Sequence, residues 1–136
     1  MDDLMSQPAF TEEERERYSR HFVLPGVGVE GQSRLKAARV LIVGAGGLGS
    51  PVALYLTAAG VGTIGIVDQD RVSTSNLQRQ VLYGSADVGR RKVDAARERL
   101  MSVNSSINVV SHGTRLDSSN AIEVMGGYDI IVDCTD

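Results

Sequence analysis

The chain has 136 residues, enough for one domain with a buried core, and 14 lysines and arginines against 17 aspartates and glutamates give a net charge of −3. An acidic balance with only 4% aromatic residues argues against a general nucleic-acid-binding protein, which needs a basic face and stacking platforms. One cysteine excludes an internal disulfide and a multi-cysteine metal site, and no apolar run approaches the ~20 residues of a membrane span.

The N-terminal segment is predicted to be helical. Residues 1–9 have the composition of an unstructured lead, and their start is unlike a signal peptide, so a cytoplasmic protein is expected. Thr11 and Glu14 stand in capping-box spacing, which predicts a helix from Glu12 to about His21. A glycine-rich loop and a second short helix over about 32–38 follow. We interpret residues 1–38 as a helical arm that packs on the sheet.

A glycine-rich turn follows the first predicted strand, Val40–Val43. Gly44, Gly46 and Gly49 have the spacing Gly-x-Gly-x-x-Gly, and a helix is predicted from Leu48 onward. Without a Cβ, the backbone can turn tightly and approach a phosphate closely, and the start of the helix favours an anion. The turn therefore predicts nucleotide binding, although such turns also occur for packing alone.

The second predicted strand, 63–68, ends on an acidic residue. Asp68 stands about 20 residues beyond the glycine loop, where doubly wound folds hold a ribose hydroxyl. The alternative is a turn aspartate, since Asp68 and Asp70 form a plausible turn on their own.

Two polar segments follow. Residues 73–80 are predicted to open a short helix, and residues 87–104 the longest helix, with Arg90, Arg91 and Lys92 in its first turn. Cations there oppose the helix dipole at a cost of roughly 0.3–1 kcal/mol each. These three cations are either solvated at the protein surface or stabilised by a bound phosphate.

The remaining elements complete an α/β pattern. A third strand is predicted over 107–110, a helix capped by Asp117 or Ser118 that ends near Gly126, and a fourth strand over 128–133. Alternating strands and helices predict a Rossmann-like, doubly wound parallel sheet of order 3-2-1-4.

That order brings Asp68, the glycine loop and Asp136 to one crevice at the carboxyl ends of the strands. Asp136 could hold a metal ion bound to phosphates, or be a solvated residue. The apolar run Ile130–Val132 is typical of a strand buried on both faces. We therefore expect residues 39–136 to be the incomplete, N-terminal part of a larger domain, truncated after its fourth strand.

These residues together resemble the adenylating enzymes of the ubiquitin-activating superfamily, most closely the bacterial members of molybdopterin and thiamine biosynthesis. The resemblance extends from about residue 15 to residue 136 in the family's order. The matching motifs are Arg17–His21, Leu24-Pro25, Gly31-Gln32, Gly44–Gly49, Asp68–Asp70, Ser75–Gln80, Gly89–Val93 and Tyr128–Asp136.

The resemblance implies an adenylyltransferase that uses ATP and magnesium to activate the C-terminal glycine carboxylate of a ubiquitin-like sulfur-carrier protein, with release of pyrophosphate. It implies that Asp68 holds the ribose, Asp136 carries magnesium, and Arg20 reaches the ATP of the other subunit of a homodimer. The other implied nucleotide contacts are Gly44, Gly46, Gly47, Gly49, Asp70, Ser75, Asn76, Leu77, Gln78, Arg79 and Lys92, of which Asn76, Arg79 and Lys92 neutralise the phosphates.

The resemblance has limits. Family members continue through further strands, and many bind zinc through two Cys-x-x-Cys pairs, so zinc is expected only through sequence that this chain lacks. Cys134 is interpreted as a packing residue at a strand end, not as a catalytic thiol. No nucleic-acid or membrane partner is expected.

Two other functions remain open. An NAD-dependent oxidoreductase also fits the glycine loop and Asp68, but the cations Arg79, Arg90, Arg91 and Lys92 exceed what a dinucleotide pyrophosphate needs. A non-catalytic dimerising module would keep the fold without needing Asp68, Arg79, Lys92 and Asp136 together.

Overall fold

A parallel four-stranded sheet forms the centre of the molecule in a computed structural model that describes residues 9–136. The strand order is β3-β2-β1-β4, which confirms the predicted Rossmann-like α/β fold. Val43 pairs with both Val67 and Asp133, so three carboxyl ends lie level at one edge of the sheet. The strands are β1 (Arg39–Val43), β2 (Thr63–Val67), β3 (Asn108–His112) and β4 (Ile130–Asp133).

Six α-helices and two short 3₁₀ helices accompany the sheet in the described part of the chain. The α-helices are α1 (Glu12–Arg17), α2 (Ser19–Phe22), α3 (Gly28–Ala37), α4 (Gly49–Ala59), α5 (Lys92–Val103) and α6 (Ala121–Met125), and the 3₁₀ helices are Thr74–Asn76 and Ser85–Asp87. Most of the predicted unstructured lead, residues 1–8, lies outside the described residues.

The central strand β1 is covered on both faces of the sheet, and its side chains alternate between the two faces. Val40 and Ile42 of β1 join a large apolar cluster with residues of α4 and α5. Leu41 and Val43 point to the other face and form a smaller cluster, against which Met125 of α6 packs. This two-sided burial explains the nearly continuous apolar sequence of β1.

The predicted first helix is two helices, divided at Tyr18. The capping box is present: Glu14 N donates to Thr11 Oγ1 and Thr11 N donates to Glu14 Oε1, each at 3.1 Å. Tyr18 has φ −101° and ψ 14°, and its buried ring lies against Gly60 at the end of α4. The helix is therefore interrupted where the tyrosine packs into the rest of the molecule.

The arm packs at the edge of the sheet away from the strands' carboxyl ends. Gln32 Nε2 donates to Ala59 O at 2.8 Å, and Arg17 Nη1 donates to Val103 O at 3.1 Å. Ala59 and Val103 end α4 and α5, which run opposite to the strands and lead back to their amino ends. The helix that was predicted as the second of the arm is α3, and it begins at Gly28, four residues earlier than predicted.

The longest helix begins at Lys92, not at Asp87, so the placement of Arg90 and Arg91 in its first turn is wrong. Gly89 has φ +90° and donates its N–H to Val72 O at 2.8 Å, and Lys92 N donates to Asp70 O at 2.9 Å. These bonds to a distant segment hold Arg90 and Arg91 outside the helix, with Arg91 in an extended conformation at its N-cap. Arg90 is paired with Asp87 and Glu98 at 2.9 and 2.8 Å, and therefore is not available to a phosphate.

The short helix predicted to open within residues 73–80 is present as the 3₁₀ helix Thr74–Asn76, which is capped by Ser73 and followed by turns. Two other predictions need correction. The last helix begins at Ala121, because Asp117 accepts an N–H from Ser119 in a turn of its own. In β4, Ile130 and Ile131 are 54% and 38% exposed, so residues 9–136 do not bury this strand on both faces.

Candidate nucleotide-binding site

A cleft of about 840 Å³ opens at the carboxyl ends of the strands. It lies where the sequence analysis placed the crevice, between the chain segments that follow β1, β2 and β4. The predicted site residues that line it are Gly44, Gly46, Gly47, Asp68, Asp70, Arg79, Lys92 and Asp136.

The glycine loop is shaped by two close backbone approaches. Gly44 has φ +99°, and a Cβ there would lie 2.7 Å from the carbonyl oxygen of Cys134. A Cβ on Gly49 would overlap the Gly44 carbonyl oxygen. Gly49 is buried and does not line the cleft, so its role is to close the loop rather than to touch a ligand.

Hydrogen bonds from two directions hold Ala45 of the loop. Tyr83 OH donates to Ala45 O at 2.6 Å, and Ala45 N donates to Asp68 Oδ2 at 2.9 Å. Burial, with Asp68 and Asp87 nearby, raises the pKa of Tyr83 well above its usual value, so the phenol remains a donor. The loop is thus preorganised before any ligand arrives.

Asp68 also shapes the turn that follows β2. Its Oδ1 accepts the N–H of Asp70 at 2.8 Å while its Oδ2 holds Ala45. Each carboxylate oxygen has a second lone pair, so the half-buried side chain can still accept a bond from a ligand hydroxyl. Asp68 therefore stabilises the turn, and from its position in the cleft it can also accept a hydrogen bond from a ribose hydroxyl.

Two of the predicted site residues are cations that reach the cleft without carboxylate partners among residues 9–136. Arg79 lies beside Gly47, where a Cβ would be 3.7 Å from the arginine Cδ, and its Nη1 donates to Ser75 O at 3.2 Å. Lys92 is only 5% exposed, and no carboxylate of the described chain lies within 4.0 Å of its Nζ. Its Nζ is not one of the enclosed polar atoms and Lys92 lines the cleft, so this charge faces the cleft and favours an anionic ligand there.

Several predicted site residues lie outside the cleft. Leu77 packs against the main apolar cluster, and Asn76 Oδ1 accepts the N–H of Ser73 at 3.0 Å. Ser75 and Gln78 are exposed and do not line the cleft. Arg20 is exposed on α2, in the arm at the opposite edge of the sheet.

Other cleft residues were missed by sequence reasoning. The loop after β3 contributes Thr114, Arg115 and Leu116, and Gln80 lies against the glycine loop. The loop after β3 could have been predicted to line the cleft, because the carboxyl end of a third parallel strand must lie at the same edge of the sheet. Gln80 could have been predicted as well, because it ends the motif Ser75–Gln80 that carries the family resemblance, but it was given no role in the site. The remaining lining residues include Leu48, Gln69 and Thr135.

Residues 9–136 contain no cluster of three or more histidine, cysteine or acidic side chains able to hold a metal ion. A magnesium ion at Asp136 would need phosphate oxygens as further ligands, which suits a nucleotide-bound metal.

Burial and the neighbouring Asp133 raise the pKa of the Cys134 thiol, consistent with a packing role. Within the described chain, no helix has both the length and the apolar character needed to cross a membrane.

Comparisons with known proteins agree with this geometry. The model of the ThiF family matches residues 18–136. The chain is 58% identical over 128 residues to a probable adenylyltransferase/sulfurtransferase, MoeZ, of Mycobacterium tuberculosis, covering 94% of this chain and 33% of that protein. It is 53% identical over 127 residues to a sulfur carrier protein adenylyltransferase of Thermus thermophilus, covering 93% of this chain and 47% of that protein.

The fold is also similar to that of a solved structure. The E. coli tRNA N6-threonylcarbamoyladenosine dehydratase TcdA, in complex with ATP, superposes with a TM-score of 0.89 at 27% identity. The match covers 95% of this chain and 53% of that one. The chain thus spans between about a third and a half of the length of these relatives.

Proposed function

The chain belongs to the ThiF family, and from this premise we propose that the complete gene product is a cytoplasmic ATP-dependent adenylyltransferase. Its substrate is the C-terminal glycine carboxylate of a ubiquitin-like sulfur-carrier protein, for molybdopterin or thiamine biosynthesis. Residues 39–136 form the ATP-binding domain and residues 1–38 its helical arm. The observation that carries the proposal is the buried, unpaired Lys92 beside a preorganised glycine loop.

The reaction is an in-line displacement. A carboxylate oxygen of the carrier bonds to the α-phosphorus of ATP, the bond from that phosphorus to the bridging oxygen breaks, and pyrophosphate leaves. Such a step needs positioning and charge neutralisation more than it needs a protein nucleophile. This fits a cleft that offers backbone N–H groups, Arg79 and Lys92, and a cysteine that is buried and protonated.

Each part of the nucleotide has a counterpart in the cleft. The phosphates lie on Gly46 and Gly47 with Arg79 and Lys92, the ribose lies at Asp68, and the loop 114–116 holds the base. Asn76 stands one turn from Arg79 and contacts the phosphates only if its side chain leaves the cap on Ser73. Asp136 holds magnesium, which supplies further neutralisation of the phosphates when bound.

The protein acts as a homodimer in which Arg20 completes the site of the other subunit. Support for this comes from the arm, which is held at the opposite edge of the sheet by its bonds to the ends of α4 and α5. From there Arg20 cannot serve the cleft of its own chain, but a two-fold contact would bring two copies of it to two clefts.

The proposal is tested by binding and exchange with the complete gene product. Saturation-transfer NMR with ATP and NAD separates the two nucleotides that a glycine loop with Asp68 can accept. We expect ATP to bind, and pyrophosphate to exchange into ATP only when the carrier protein is present. Binding of NAD in preference to ATP would instead support the oxidoreductase alternative.

A further inference from the structure

Gln80 is a buried polar residue at the wall of the cleft that the proposed mechanism does not use. Only 4% of the surface of Gln80 is exposed. Its backbone is fixed, because its N–H donates to Asn76 O at 2.9 Å and its carbonyl accepts the N–H of Tyr83 at 3.2 Å. Its amide packs on the glycine loop: a Cβ on Gly46 would lie 3.4 Å from Nε2 and 3.8 Å from Cδ.

The two ends of this amide have different surroundings. Oε1 is fully enclosed and has no hydrogen-bond partner among the described residues. Nε2 is not enclosed in this way, and it lies beside Gly46 in the lining of the cleft. Burying an amide oxygen without a partner opposes folding. A methionine of similar length would fill the same space without that penalty, so the folded protein alone gives no reason for an amide here.

A ligand in the cleft provides the reason. Phosphate oxygens accept hydrogen bonds, and Nε2 is a donor placed over the same loop that Arg79 flanks at Gly47. We propose that Gln80 binds the nucleotide by donating a hydrogen bond from Nε2 to the phosphate seated on the glycine loop. Because no group of residues 9–136 bonds to Oε1, the phosphate also sets the orientation of the amide.

This inference rests on the proposed function, and it assigns Gln80 a contact with the phosphates and none with the nucleoside. Gln80→Met removes the donor and keeps the volume. In the complete protein we expect it to weaken ATP binding about 10-fold or more, as for a hydrogen bond to a charged group. Adenosine, which has no phosphate, should bind within about twofold of its wild-type affinity. Calorimetric titration measures both.

Thermal unfolding of the nucleotide-free protein separates a binding role from a structural one. The midpoint of Gln80→Met should be unchanged or higher, because the substitution removes the unpartnered oxygen. Gln80→Glu should weaken ATP binding more than Gln80→Met, since it adds a negative charge facing the phosphate. Gln69→Glu puts the same charge elsewhere in the cleft lining and measures the effect of charge alone, which should be smaller.

Side-chain amide NMR signals of wild-type protein give a test that needs no variant to fold. The Gln80 amide protons should shift on adding ATP and not on adding adenosine. If the wild type binds ATP and Gln80→Met binds it equally well, the inference is wrong and the proposed function stands. Equal losses for ATP and adenosine, with a lower unfolding midpoint, would make Gln80 structural and also overturn it. Failure of the wild type to bind ATP would overturn both.

Discussion

Lys92 and Arg79 approach the cleft from different elements, one from the start of α5 and one from the turns after Thr74–Asn76. Neither has a carboxylate within 4.0 Å in the described chain, so neither charge is needed for an ion pair of the fold. Both are placed to act on a ligand, and replacing either one should affect chemistry more than stability.

We expect Lys92→Ala and Arg79→Ala, each in the complete protein, to lose roughly 2–4 kcal/mol of transition-state stabilisation, the scale for one preorganised electrostatic group. ATP–pyrophosphate exchange with the carrier present measures this loss, and urea unfolding measures stability. Arg99→Ala is the matched control, because Arg99 is exposed on α5 and does not line the cleft. Exchange at near wild-type rates in either cleft variant would contradict the assignment.

Gly49 offers a second test at the residue scale, because backbone atoms occupy the space that a side chain at this position would need. A methyl group there would overlap the Gly44 carbonyl oxygen, which cannot rotate away as a side chain can. We expect Gly49→Ala to lower the free energy of unfolding by about 1–3 kcal/mol through overpacking, and to weaken nucleotide binding by deforming the loop. Urea unfolding and ATP titration measure the two effects.

Gly127→Ala is the control for that substitution, since a Cβ at Gly127 meets nothing within 4 Å and its φ is not positive. Its stability should change little. If Gly49→Ala were as stable as Gly127→Ala and bound ATP normally, the close approach would not determine the shape of the loop.

At the scale of elements, Asn104 ties the arm to the sheet. This fully buried residue ends α5, and its Nδ2 donates to Tyr18 OH at 2.7 Å and to Thr57 O at 3.0 Å. A single side chain therefore joins the arm, α4 and α5. The same amide also accepts the N–H of Ser106 on the way to β3.

Asn104→Ala should cost about 1–3 kcal/mol, because it removes two buried hydrogen bonds and leaves the Tyr18 hydroxyl oxygen without its donor. It should also speed hydrogen exchange in α1 and α2 more than in β1, since the arm loses its link to α4 and α5. Hydrogen-exchange mass spectrometry measures this, with the exposed Ser105→Ala as the control. Equal acceleration throughout the sheet would show that Asn104 supports global stability and not the arm in particular.

At the scale of the whole molecule, the arm and the cleft lie at opposite edges of the sheet. A shared-site dimer therefore predicts complementation between two inactive proteins. Mixing full-length Arg20→Ala with full-length Asp136→Ala should restore activity, because one of the two hybrid sites combines an intact Arg20 with an intact Asp136. ATP–pyrophosphate exchange is the measurement.

Subunit exchange must be confirmed first, for example by mass spectrometry of differently tagged chains. Each variant alone should be inactive, and mixing either one with itself is the control. If heterodimers form and remain as inactive as their parents, Arg20 does not complete the site of the other subunit.

Local sequence predicted the sheet and the glycine loop. Burial on both faces makes Val40–Val43 of β1 apolar, and Gly44 and Gly49 stand where no side chain fits, so the strand and the turn can both be recognised from adjacent residues. The strand order followed from the rule for crossovers in a parallel sheet. These features brought Asp68, the glycine loop and Asp136 to one crevice, whereas Arg79 and Lys92 were assigned to it by the family resemblance.

Only the tertiary structure decided the features that depend on residues far apart in the chain. Lys92 starts α5 because backbone bonds to Asp70 and Val72 hold the preceding residues outside the helix, and Tyr18 divides the first helix because it packs at Gly60. The missing partner of Gln80 Oε1 is likewise a property of its surroundings. Propensity and periodicity describe neighbours along the chain, whereas these hydrogen bonds and contacts form only once the sheet has brought distant segments together.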